Sequence, residues 1–123
     1  MDDRPVDMDA RVDLDGLTSV ERELLRAGLM EWVRSDGGRD MAARLLDYDD
    51  RLALRSDVQR LGDLIDAGAP MSRRDCRRVL LATELALASE TLGWSRDWPA
   101  DTGFTDSETI TVLRSIQEKL AAS

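Results

Sequence analysis

The sequence predicts an all-α fold: a small helical bundle of four main helices plus one short helix, with a central apolar helix over 72–92. Three observations carry this. Apolar residues recur at helical spacing in separate stretches. Capping residues open these stretches, and Gly or Pro closes several of them. The chain has 123 residues, 42% of them hydrophobic, which suits one domain with one core.

The stretch SRRDCRRVLLATELALASETL over 72–92 is the most apolar of these. Val79, Leu80, Thr83, Ala86, Leu87 and Glu90 fall on one face, and Leu81, Leu85, Ala88 and Leu92 make an adjacent stripe. A helix apolar over most of its circumference must be surrounded by other helices. Its interruption by Thr, Glu and Ser argues against a bilayer span, which needs about 20 predominantly apolar residues. Ser72 and Asp75 form a box-like start. Arg73, Arg74, Arg77 and Arg78 form the basic cluster of the chain. Arginines near a helix N-terminus need carboxylate partners, so ion pairs to the Asp-rich loops are expected; an anion or partner contact is the functional alternative. Cys76 reads as a small buried residue. Glu84, inside the apolar stretch, needs a partner or solvent; a structural ion pair is expected.

The other elements follow in order. Residues 1–15 hold six Asp and two Arg, half the net charge of the chain, and read as an acidic N-terminal arm preceding a single helical domain over 16–123. Composition makes the arm solvated and disordered. Its alternation of Val6, Met8, Ala10, Val12 and Leu14 with charged residues is instead a strand signature. With no second strand evident, such a strand would pair with another chain or lie along a groove. Thr18 and Glu21 form a capping box. Val20, Leu24, Leu25, Gly28, Leu29, Trp32 and Val33 then form one stripe, with Gly28 placed for close approach of another helix and Trp32 in the core. The run Ser35-Asp36-Gly37-Gly38 ends this helix. A short helix from Met41 to about Leu46 is broken by Asp47-Tyr48-Asp49-Asp50. The next helix carries Leu54, Val58, Leu61, Leu64 and Ile65 and stops at Gly68-Ala69-Pro70. Thr105 and Glu108 cap the last helix, whose stripe is Ile110, Leu113, Ile116, Gln117 and Leu120.

The absences narrow the function. There is no histidine, and Cys76 is the single cysteine. This rules out Ser-His-Asp and Cys-His nucleophile systems and the usual zinc sites. No Gly-rich phosphate loop occurs. No enzymatic activity, cofactor or metal is expected. Net charge −8 opposes binding to nucleic acid or to an anionic membrane and suits a basic protein partner. Lack of a signal-like N-terminus and the lone cysteine point to the cytoplasm.

The candidate partner-binding residues are Asp47, Tyr48, Asp49, Asp50, Trp94, Arg96 and Trp98. The carboxylates would steer a basic surface. Trp and Arg are the types enriched at binding hot spots, and Trp94, Trp98 and Phe104 are three of the five aromatics. The competing reading folds those aromatics over the bundle end.

The segments GLTSVERELLRAGLMEW, SRRDCRRVLLATELALAS and TGFTDSETITVLRSIQEKL resemble parts of small acidic all-helical proteins of actinobacteria. The resemblance rests on helix patterns and implies no activity. From the residues themselves, the expected function is a protein-binding module: an acidic inhibitor or immunity-type protein that neutralises a basic partner such as a toxin or nuclease. The alternatives are a self-associating adaptor, with a homodimer formed through the arm; a helix-turn-helix-like DNA-binding regulator over 41–67; and a carboxylate-and-magnesium enzyme.

Overall fold

A computed structural model describes residues 7–34, 43–91 and 102–121. Four long helices make the body: α1 (Ser19–Arg34), α2 (Arg51–Ala67), α3 (Arg73–Thr91) and α4 (Asp106–Ala121). A short helical turn covers 43–45. Two short strands, β1 (Arg11–Val12) and β2 (Met71–Ser72), pair antiparallel with Val12 opposite Met71. The fold is all-α apart from this small ribbon.

The helices begin where their caps place them. Thr18 donates its N–H to Glu21 Oε1 at 2.8 Å, and Glu21 N–H returns to Thr18 Oγ1 at 3.2 Å. Thr105 and Glu108 repeat the exchange at 3.2 and 3.1 Å. Asp50 caps α2 by accepting the Ala53 N–H at 2.9 Å. Each cap satisfies donors that have no carbonyl within the first turn. At the far end of α2, Gly68 takes φ 62° and donates to the Ile65 carbonyl at 3.1 Å, while Ala69 donates to Leu64 at 3.1 Å. A side chain at that φ would be strained, which is why the helix stops on glycine.

The α1–α3 pair is the spine of the bundle, and α1 is the helix that packs against all three others. The apolar helix singled out in the sequence is thus one half of a pair. Gly28 makes the pair close: a Cβ there would lie 2.7 Å from Thr83 Cα and 2.8 Å from Thr83 Cβ. Thr83 can sit at this crossing because its hydroxyl donates back to the Val79 carbonyl at 3.2 Å. Half-buried Trp32 ties the same pair by donating Nε1–H to the Ala82 carbonyl at 2.8 Å. Leu24, Leu25, Leu29, Leu61, Ile65, Val79, Ala82, Ala86 and Ile116 fill the space between the four helices. Burying each large aliphatic contributes about 1.5–3 kcal/mol. Val20 and Ile110, assigned to the stripes by spacing, are 47% and 52% exposed. Val20 lies in the first turn of α1 and Ile110 just past the first turn of α4, both near the N-terminal end of their helix.

The acidic arm differs most from its composition. Val12, Leu14 and Leu17 are buried in the core. The missing second strand is Met71–Ser72, hidden in the sequence by its fusion to the start of α3. The arm also closes that helix end. Arg73 N–H donates to the Ala10 carbonyl at 2.9 Å and Arg74 N–H to the Met8 carbonyl at 3.0 Å, while Ser72 Oγ accepts the Asp75 N–H at 3.1 Å. From residue 7 onward the alternation outweighs the charge: every second residue turns its apolar side chain inward and leaves its Asp in water.

Candidate functional site

Asp47, Tyr48, Asp49 and Asp50 lie on the turn between the 43–45 helical turn and α2. Trp94, Arg96 and Trp98 lie outside the described residues. The acidic turn itself is well determined by its own chemistry. Asp47 ends the short helical turn in a left-handed conformation, φ 68°, which Asp tolerates better than most residues. Asp50 is spent on the α2 cap. Asp49 is exposed and has no partner among the described residues.

Tyr48 is half-buried and belongs to a ring of five side chains that the sequence did not disclose. Its hydroxyl donates to Asp57 Oδ2 at 2.5 Å. Arg60 grips Asp57 through Nε at 2.6 Å and Nη2 at 2.8 Å, and reaches Asp75 through Nη1 at 2.9 Å and Nη2 at 3.1 Å. Arg78 donates Nη1–H to Asp75 Oδ1 at 3.2 Å. Its guanidinium then lies 4.0 Å from the Tyr48 ring centroid, closing the ring by a cation–π contact. Arg78 also donates to the carbonyls of Leu46, at 3.1 Å, and Asp47, at 2.5 Å. One guanidinium therefore fastens the acidic turn to α3, while Asp57 fastens it to α2.

The electrostatics mark this ring as a clamp. Hydrogen bonds from Arg60 lower the Asp57 pKa against the opposing effect of burial, helped by Tyr48. Burial would raise Asp75, but Arg60 and then Arg78 and Ser72 lower it below the ordinary value. Burial and the Asp57 contact push the Tyr48 phenol up. Tyr48, Asp57, Arg60 and Asp75 are each shifted away from neutral pH, so none of these four is poised to exchange a proton there. Two of the four arginines of the basic cluster reach the Asp-rich segments as expected, Arg74 with Asp9 at 3.2 Å and Asp47 at 3.4 Å and Arg78 with Asp47 at 3.9 Å, while Arg78 also pairs with Asp75 on its own helix. An ion pair is expected at Glu84; among the described residues it has none and accepts instead from the Gln117 amide at 2.8 Å, joining α3 to α4.

A second pin lies on the far side of the spine. Glu21 is 3% exposed, and Lys119 donates Nζ–H to its Oε1, fixing α4 to α1. Burial alone would raise the Glu21 pKa. Hydrogen bonds from Lys119, Thr18 and Ser115 overcome it and hold the carboxyl down to about 2. Spacing had revealed only the capping role of Glu21, because the partner is 98 residues away. Cys76 is buried, and desolvation, reinforced by Asp75, raises its thiol to about 11, which leaves it unreactive at neutral pH.

Among the described residues no group of three or more His, Cys, Asp or Glu is placed to hold a metal ion. No helix among them is long and apolar enough to cross a membrane. Comparison with protein-family models, with characterised proteins and with solved structures finds no match.

Proposed function

We propose that the chain is a non-enzymatic protein-binding module of the acidic inhibitor or immunity type, which acts in the cytoplasm by docking a basic protein such as a toxin or nuclease. The observation that supports this reading is the row of carboxylates on the N-terminal segment. Asp7, Asp9, Asp13 and Asp15 are exposed, while Val12 and Leu14 between them are buried. Asp7 Oδ1 accepts the Asp9 N–H at 3.0 Å and Asp13 Oδ1 accepts the Asp15 N–H at 2.9 Å, so the backbone that carries the row is locally fixed. A charged row already ordered against the bundle loses less conformational freedom on binding than a free tail. Its field also speeds encounter with a positive surface. The clamped turn bearing exposed Asp49 is a second preorganised acidic feature. β1 pairs with β2 within the chain.

The test is capture from the source lysate with tagged protein at low and moderate salt. The wild type is expected to retain one stoichiometric basic protein that is lost as salt rises. The D7N/D13N/D15N variant keeps side-chain oxygens able to accept the turn hydrogen bonds and removes three charges, so it is expected to lose that partner. Capture unchanged in this variant, or no basic protein at low salt, refutes the reading.

A further inference from the structure

Two adjoining concavities on one side of α3 have opposite character. The first is a groove of about 290 Å³ lined by Arg44, Arg74, Arg77 and Arg78, with Leu45, Leu46 and Leu81 as its apolar lining. Asp47 is its one carboxylate, and it faces Arg74 at 3.4 Å and Arg78 at 3.9 Å. Arg74 and Arg78 are therefore largely committed to the fold. Arg44 and Arg77 are exposed and have no partner among the described residues. Asp9, Asp47 and Asp75 answer the guanidiniums of Arg74 and Arg78, so the surplus positive charge of the groove, on a chain whose net charge is −8, rests on Arg44 and Arg77. The second concavity, about 420 Å³, is lined mainly by Val12, Cys76, Leu80, Leu120 and Ala121. Its polar side chains are Arg73, Arg77 and Gln117, and the Gln117 amide is held by Glu84. Met8 and Arg77 line both, so the basic groove and the apolar cleft meet at these two residues.

We propose that the paired concavities bind a free amphipathic anion: a carboxylate or phosphate head on a short apolar chain. The guanidinium forks of Arg44 and Arg77 match the two oxygens of such a head, a geometry that an ammonium does not offer. The chain passes Met8 and lies along Leu80 and Leu120. Apolar walls with a few convergent polar groups are the usual make-up of a small-molecule site. The occupant is a free molecule and not a lipid in a bilayer, because an anionic membrane surface would repel a chain of net charge −8. This inference is independent of the protein-partner reading, which uses the carboxylate row.

The experiment is titration calorimetry of the full chain with octanoate and octyl phosphate, compared with butanoate and with octanol. Saturable one-to-one binding is expected for at least one octyl anion. Its affinity is expected to exceed that of the four-carbon acid, and that of the uncharged alcohol, by tenfold or more, because four buried methylenes and the charged head each add to it. The R44Q/R77Q variant is expected to lose binding by tenfold or more with an unchanged melting temperature, since neither arginine has a described internal partner. The R55Q variant removes an exposed charge outside both concavities and is expected to bind like wild type. Equal affinity for the eight- and four-carbon acids, full binding by R44Q/R77Q, an equal loss in R55Q, or binding only to phosphatidylglycerol vesicles would each overturn the proposal. So would the absence of saturation at millimolar ligand.

Discussion

Replacing Gly28 by alanine tests the closest contact in the bundle. Helix propensity alone favours the change by about 1 kcal/mol. The crossing opposes it, because the new methyl carbon would sit 2.7 Å from Thr83 Cα and 2.8 Å from Thr83 Cβ. Carbon atoms pack best at roughly 3.5–4.0 Å, so the α1–α3 spine must open by about 1 Å. The obstacle is backbone, which cannot rotate aside as a long side chain can. Opening also loosens Leu25 and Leu29 against Val79, Ala82 and Ala86, all of them buried. Overpacking of this kind costs about 1–3 kcal/mol. With the upper end expected for a backbone clash, the net loss is about 2 kcal/mol. Urea unfolding of G28A is expected to show a lower midpoint with an unchanged slope. T83A in the G28A background removes the hydroxyl and methyl yet leaves Cα and Cβ in place, so it is expected to restore only part of the loss. A G28A protein as stable as wild type, or more so, would refute the close crossing.

Two further expectations concern charge. Glu21 is held at about 2 from an ordinary 4.5. A lowered carboxyl pKa stabilises the fold fully above the unfolded value, and that contribution disappears as pH falls from about 4.5 through about 2. The drop corresponds to about 3 kcal/mol. E21Q keeps a capping oxygen and lacks the charge, so its stability gap to wild type is expected to be widest near neutral pH and to narrow below pH 4.5 in urea melts; a gap constant over that range would show that the Lys119 contact contributes nothing. D75N removes the carboxylate that joins Arg60 to Arg78 while half of the Arg60 side chain stays exposed. Its cost is expected to be about 2 kcal/mol, below the 3–5 kcal/mol of a fully buried pair, and a thermal-melt change under about 0.5 kcal/mol would contradict the clamp.

Local signals in the chain carried much of the fold, because their causes are local. The boxes Thr18–Glu21 and Thr105–Glu108, the Gly68 stop and the burial of Cys76 each depend on neighbours a few residues away or on side-chain type. Gly28 was legible for a related reason: a glycine inside an apolar stripe has few other uses. The ring Tyr48–Asp57–Arg60–Asp75–Arg78 was not legible, since its members come from three elements and each alone reads as an ordinary surface charge or half-buried aromatic. The acidic segment shows the same division. Its alternation was visible, but composition favoured a solvated arm, and the partner strand Met71–Ser72 was concealed inside a helix start. The candidate residues Asp47 and Asp50 carry charge that a sequence offers to a partner, and only the tertiary structure assigned one to a left-handed turn and the other to a helix cap. By itself the sequence determined which stretches become helices and which of their faces are apolar, because periodicity and capping act within a few residues. The tertiary structure decided which charges are spent inside the fold and which stay available, because ion pairing depends on distances that only packing creates.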